Sequence, residues 1–142
     1  MRSGPILLIE DDEDDQYLFQ QMINELGVDN ELRFFANGLE ALDYLRVTEE
    51  QPFIILCDVN MPTMNGIELR KVIDQDEQLK KKAVPFIFLS TYASPVVVRD
   101  SYETTIQGFF KKADDYEAAK KQLHWIIGYW LHCVHPHNQD WK

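Results

Sequence analysis

Four short apolar runs in this sequence end in side chains that can do chemistry. Pro5-Ile6-Leu7-Leu8-Ile9 runs into Glu10-Asp11-Asp12, and Phe53-Ile54-Ile55-Leu56-Cys57 into Asp58. Pro85-Phe86-Ile87-Phe88-Leu89 runs into Ser90-Thr91, and Gly108-Phe109-Phe110 into Lys111-Lys112. Carboxylates brought together repel and raise one another's pKa values. A divalent cation removes that penalty, and oxygen ligands suit Mg2+ (or Mn2+). A carboxylate can also attack phosphorus and form an acyl phosphate. That reaction needs charge neutralised on the transferring oxygens, which a metal and a lysine can do, while a serine or threonine hydroxyl bonds a remaining oxygen. Glu10 and Asp11, directly on the end of a strand, are the candidate metal residues. Asp14 and Asp15 suit the first turn of a helix, where carboxylates favour the dipole, and take no metal role.

These groups meet only if the elements carrying them align. The apolar runs are short and flanked by charge, as buried parallel strands are. A fifth, Leu32 to Ala36, lies between the first two. Helical patterns separate them. Leu18, Met22, Ile23 and Leu26 share a helical face closed by Gly27, a C-cap. Leu39, Leu42 and Leu45 share another. Asn65 caps a helix through Leu69, Val72 and Ile73. Ser94-Pro95 starts a helix with proline at its first position. The last helix runs from about Asp114 to Val134, with Leu123, Ile126, Ile127, Trp130 and Val134 inward. The order is βα repeated five times, which predicts a parallel sheet with helices on both faces. In such sheets ligands bind at the carboxyl ends of the strands, where all four reactive groups fall.

Composition narrows the function. The chain has 142 residues, with 14 Lys+Arg against 24 Asp+Glu for a net charge of −10. That suits one domain over 1–142, with a core at about 5–134 and a C-terminal tail at 135–142. The acidity excludes a duplex-DNA surface, so no nucleic acid is expected. No apolar run reaches a membrane span, no secretory signal precedes the first strand, and two lone cysteines fit a reducing compartment. The expected location is the cytoplasm, away from the membrane. Lys80-Lys81-Lys82 reads as a solvated helix end or loop.

Leu7-Leu8-Ile9-Glu10-Asp11-Asp12, Asp58-Val59-Asn60-Met61-Pro62-Thr63-Met64-Asn65-Gly66, Phe88-Leu89-Ser90-Thr91 and Gly108-Phe109-Phe110-Lys111-Lys112 together resemble the receiver domains of two-component response regulators. The resemblance spans about residues 5–134, and the stretch from Asp58 to Gly66 is its most specific part. It implies a flavodoxin-like (βα)5 doubly wound fold with strand order 2-1-3-4-5. It implies that Asp58 accepts phosphate from a histidine kinase or phosphotransfer protein. Asp11 and Asp58 would ligate Mg2+ directly, Asn60 through its backbone carbonyl, and Glu10 through a water. Ser90, Lys112 and Phe109 would fill the phosphate-binding and switch positions, Lys112 being chosen over Lys111 because it stands four residues after Gly108. Output would be a conformational change read by a downstream protein target, with no attached output domain. The fourth helix, fifth strand and fifth helix often form homodimers in this family. One departure stands out: the family usually follows the lysine with a cis proline, and here Ala113 follows. A cis bond before a non-proline residue costs about 2.5–4 kcal/mol. The bond is therefore either cis at that cost, or trans with a different approach of the lysine.

Other readings are weaker. A phosphatase of the haloacid dehalogenase type needs an Asp-x-Asp pair after the first strand, and a flavin-binding module needs a glycine- and hydroxyl-rich loop there. Contiguous acids replace both. A degenerate receiver acting as a phosphorylation-independent binding module is the runner-up. On the last helix, Ala118, Trp125, Tyr129 and His132 lie opposite the inward stripe and are either covered by the tail or offered to a partner. His132, His135 and His137 lack the companion ligands of a metal site. Cys57 reads as a small core residue.

Overall fold

The computed structural model describes residues 4–136. Five strands form one parallel sheet: β1 (Ile6–Ile9), β2 (Leu32–Phe35), β3 (Ile54–Cys57), β4 (Phe86–Ser90) and β5 (Gly108–Lys111). Their order is β2-β1-β3-β4-β5, as expected of a flavodoxin-like sheet. Six helices accompany them: α1 (Glu13–Leu26), α2 (Gly38–Val47), α3 (Gly66–Asp74), α4 (Glu77–Lys82), α5 (Pro95–Tyr102) and α6 (Tyr116–His132).

Strand alternation builds two cores. Leu7, Ile9, Ile55, Cys57, Phe86 and Phe88 face Ala41, Leu42 and Leu45 of α2, Leu69 and Ile73 of α3, and Leu79 of α4. Ile6, Leu8, Ile54, Leu56, Ile87 and Leu89 face Phe19, Met22 and Ile23 of α1 and Leu123, Ile126 and Ile127 of α6. The expected helix starts at Asn65 and Ser94 hold. Asp12, Asn37, Asn65 and Ser94 accept from backbone N–H groups at the starts of α1, α2, α3 and α5. Gly27 closes α1 in the left-handed region at φ 74°.

Four details differ from the sequence reading or go beyond it. Leu18 and Leu39 are exposed, their places taken by Phe19 and Ala41, one and two residues along. Val134 lies beyond α6 and is exposed, and Trp130 is half-buried. The lysine run closes an extra helix, α4. There the Lys82 ammonium donates to the Leu45 and Thr48 carbonyls at 2.9 and 2.7 Å, capping the end of α2. Arg70, on which the sequence reading was silent, is fully buried.

Arg70 is tolerated inside because each of its three nitrogens donates a hydrogen bond. Its Nε donates to Asp74 Oδ1 at 3.0 Å, its Nη1 to the Ala83 carbonyl at 2.9 Å, and its Nη2 to Thr105 Oγ1 at 2.6 Å. The guanidinium lies 5.0 Å over the Phe86 ring. Thr105 in turn donates its hydroxyl and its N–H to Asp74. One cation thus ties α3, the start of β4 and the loop before β5. Removing it takes the charge partner from Asp74, takes a donor from Thr105 and leaves the Ala83 carbonyl without this bond. Arg70→Ala should lower the unfolding free energy by about 3–5 kcal/mol, read as an earlier urea midpoint; an unchanged midpoint would refute the assignment.

Candidate functional site

Glu10 and Asp58 are set by strand register. Ile9 pairs with Cys57 across β1 and β3, so the next residue on each strand leaves the sheet beside the other. The Asp58 N–H still donates to the Ile9 carbonyl at 2.9 Å. Both side chains are buried, while Asp11 beside them is exposed. Glu10, Asp11 and Asp58 each offer a carboxylate oxygen, and these oxygens lie within 4.8 Å of one another. Asp58 Oδ1 is buried without a hydrogen-bond partner. An ionised oxygen out of water needs a cation or a donor. An all-oxygen donor set with one exposed member fits a small hard cation that keeps part of its water shell.

The fifth strand supplies the opposing charge. Lys112 Nζ donates to Glu10 Oε1 at 2.7 Å and lies 3.4 Å from Asp15 Oδ2. The peptide before Ala113 is trans, since Val84–Pro85 is the one cis bond among the described residues. The lysine reaches the rim from a trans loop. Burial pushes the Glu10 carboxyl up, and the Lys112 hydrogen bond and charge offset only part of it. Burial pulls Lys112 down, but its hydrogen bond to Glu10 and the charges of Glu10, Asp58 and Asp15 hold it above its ordinary value. Burial, with the charges of Asp58 and Glu10, pushes the Cys57 thiol well up, so it stays a neutral core group.

The two hydroxyl candidates and the two lysine candidates separate. Ser90 is buried at the end of β4, with its Oγ accepting from the Tyr92 N–H at 3.2 Å, whereas Thr91 is exposed. Lys111 is exposed, whereas Lys112 is on Glu10. Phe109 packs on Phe88 with ring centroids 5.9 Å apart, and its N–H donates to the Tyr102 hydroxyl at 3.0 Å. Asn60 lies two residues beyond Asp58 on the loop to α3 and is exposed.

Several neighbours escaped the sequence reading. Asp15 is drawn to Lys112 although its position reads as a plain helix start. Asp12 serves as the cap of α1, accepting from Asp14 and Asp15 N–H at 2.8 and 3.1 Å. Gln16 donates to the Glu10 carbonyl at 2.7 Å. Among the described residues, Glu10, Asp11 and Asp58 form the one cluster of potential metal ligands. His135 packs on Phe53 and donates to its carbonyl, His132 bonds Gly128, and His137 lies outside the described residues.

An open parallel sheet with buried acids and one lysine at its carboxyl edge belongs to the doubly wound α/β class, which places its ligand sites at that edge. Residues 6–124 match the response regulator receiver domain family. Response regulator Rcp1 of Synechocystis sp. is 31% identical over 134 residues, covering 91% of this chain and 90% of that one. Sporulation initiation phosphotransferase F of Bacillus subtilis is 34% identical over 132 residues, covering 87% and 96%. The crystal structure of the phosphorylated cyanobacterial phytochrome response regulator RcpA superposes with a TM-score of 0.82 at 28% identity, covering 91% of this chain and 94% of that one. The Mn2+-bound form of Rcp1 superposes with 0.79 at 30% identity, covering 92% and 96%. The chain belongs to the response regulator receiver domain family, the signalling modules of two-component systems whose typical role is to be phosphorylated by a histidine kinase. No helix among the described residues is long and apolar enough to cross a membrane.

Gly66 is the tightest point behind the site. A Cβ there would lie 2.5 Å from the Asp58 carbonyl oxygen and 2.7 Å from the Phe88 ring. Gly66→Ala should therefore displace the β3–α3 loop and destabilise the fold by about 1–3 kcal/mol. Thermal unfolding of the variant checks this, and an unshifted melting curve would count against the geometry.

Proposed function

We propose that Asp58 accepts a phosphoryl group from a histidine kinase or phosphotransfer protein and that the change is read by a protein target. The observation that carries this reading is the orphaned, buried Oδ1 of Asp58, set among Glu10, Asp11 and Lys112. An Asp58 oxygen forms the O–P bond as the donor's P–N bond breaks, and the electron pair leaves with the imidazole, which takes up a proton. Asp11, Asp58 and the Asn60 carbonyl would hold Mg2+ (or Mn2+), with Glu10 acting through a water. When bound, the ion supplies charge neutralisation for the phosphoryl oxygens. Lys112, already desolvated, supplies a second positive charge by swinging from Glu10. The Ser90 hydroxyl exchanges the Tyr92 N–H for a phosphoryl oxygen. Phe109, packed on Phe88, passes the change to α5 and β5 by packing, since it has no hydroxyl. The chain catalyses only its own phosphorylation and dephosphorylation, and 1–142 acts as one receiver unit in the cytoplasm. Cys57 and Cys133, both free thiols, suit that reducing setting.

Output is placed on the face of α5, β5 and α6, the fourth helix, fifth strand and fifth helix of the five-fold repeat. Tyr102, Phe110, Trp125 and Tyr129 are all exposed there. Such a patch suits a downstream protein or a second copy of the chain.

Incubation with magnesium and acetyl phosphate, followed by intact-mass measurement, tests the chemistry. The wild type should gain one phosphoryl group and Asp58→Asn none. A wild type that gains nothing would favour a phosphorylation-independent binding module, and an Asp58→Asn protein that gains as much would mean another acceptor; either result sinks the reading. Lys112→Ala should slow the gain by about 100-fold or more, the effect of deleting one preorganised charge partner of a reacting oxygen; a wild-type rate would remove Lys112 from the mechanism.

A further inference from the structure

Lys112 works only if its short loop aims the amine across the rim. Both peptide groups flanking its Cα are held. The peptide before it is bonded at each end: the Lys112 N–H donates to the Ser90 carbonyl at 2.9 Å, and the Lys111 carbonyl accepts from Gln122 Nε2 at 2.8 Å. In the peptide after it, the Ala113 N–H donates to Gln122 Oε1 at 3.3 Å. Gln122 sits on α6 and uses both ends of one amide, as a donor and an acceptor on either side of Lys112. Fixing both peptide planes fixes φ and ψ of Lys112 and hence the direction of its Cα–Cβ bond.

We infer that Gln122 is a positioning residue for Lys112: it holds the backbone so that the ammonium can exchange Glu10 for an incoming anion by side-chain torsions alone. The inference rests on, and deepens, the reading of Asp58 and Lys112 as phosphoryl-transfer residues. Two observations favour it over a purely structural role. Lys111 lies on β5, an edge strand paired with β4 alone; one bond to its carbonyl would suffice to cover that edge, yet the amide also reaches past Lys112 to Ala113. And α6 is already joined to α1 by the Lys120–Glu25 ion pair at 2.9 Å and by the apolar core, so its docking does not need Gln122.

The test compares wild type, Gln122→Met and Gln122→Glu, each checked for folding by circular dichroism. Methionine keeps the length and removes both bonds. Glutamate keeps the acceptor for Ala113 and loses the donor to Lys111, and it carries the measurement should the methionine variant not fold. Trace acetic anhydride labelling with peptide mapping reads access to the Lys112 amine. The rate of mass gain from acetyl phosphate at saturating magnesium reads the chemistry. Gln122→Met should raise labelling of Lys112 but not of Lys82, and slow phosphorylation by about tenfold or more, as a misplaced charge partner does. Glutamate should fall between. In a Lys112→Ala background, Gln122→Met should slow the reaction no further. Unchanged Lys112 labelling in a folded variant, or slowing that adds in full to that of Lys112→Ala, would overturn the inference. A wild type that takes no phosphoryl group refutes the function proposed for Asp58 and leaves the labelling arm to decide Gln122.

Discussion

Ile9 and Cys57 are register partners on neighbouring parallel strands, so Glu10 and Asp58 leave the sheet side by side. The placement is not negotiable. Shifting either strand by one residue would exchange its core faces, carrying Leu7 and Ile9, or Ile55 and Cys57, into the wrong core. The sheet therefore forces two carboxylates together in a buried place, and the rest of the rim answers the repulsion. Lys112 answers part of it through Glu10 Oε1, and the Asp12 N–H bonds Glu10 Oε2 at 3.1 Å. Four carboxylates, Asp15 included, share one ammonium, and Asp58 Oδ1 is left unmatched. A site with surplus negative charge and an open oxygen binds a hard cation first, and accepts an anion only through it. The metal dependence proposed for phosphorylation rests on that imbalance.

The second constraint is that β5 is an edge. An unpaired edge exposes N–H and C=O groups that must be bonded or solvated. Here two side chains cover alternate positions of it. The Tyr102 hydroxyl takes the Phe109 N–H, and Gln122 takes the Lys111 carbonyl. The strand bearing Phe109 and leading into Lys112 is thus fastened on its outer side by α5 and α6, not by another strand. Side-chain bonds of this kind can be exchanged one at a time, whereas a strand pairing is lost only as a ladder.

β1, β3 and β4 and their rim were legible in the sequence because burial on both faces leaves uninterrupted apolar runs, each ending where the chemistry begins, whereas the strand order came from the resemblance. Asp58, Glu10, Asp11 and Ser90 follow from those ends. The helix faces were less legible. Leu18 and Phe19 are equally apolar neighbours, and only packing against Phe34 selects Phe19 for the core. Arg70 escaped for a different reason: nothing local says that Asp74, Ala83 and Thr105 will converge on it across 35 residues. Lys112 against Lys111 could not be separated by composition, and the resemblance chose between them by spacing. The role of Ala113 was the opposite case. The missing proline was plain in the sequence, but its consequence, a trans peptide whose N–H finds Gln122, depends on a side chain nine residues along, on α6.

The two ends of the sheet are held differently, and this bears on where motion can occur. At the amino end, Arg70 clamps α3, β4 and the loop before β5, while His135 stacks on Phe53 at 5.1 Å. At the carboxyl end the polar atoms have exchangeable partners: Ser90 with Tyr92, Lys112 with Glu10. Between them lies α5, where Ser101 is the one fully buried residue and three consecutive valines weaken the helix. Its last residue, Tyr102, holds the backbone of Phe109. Any rearrangement of Phe109 that shifts its N–H breaks the bond to Tyr102 and loosens a helix with a single buried residue. Low local stability at α5 is thus joined by one hydrogen bond to the strand that carries the rim lysine, which makes α5 the element whose position a change at Asp58 can bias at least cost.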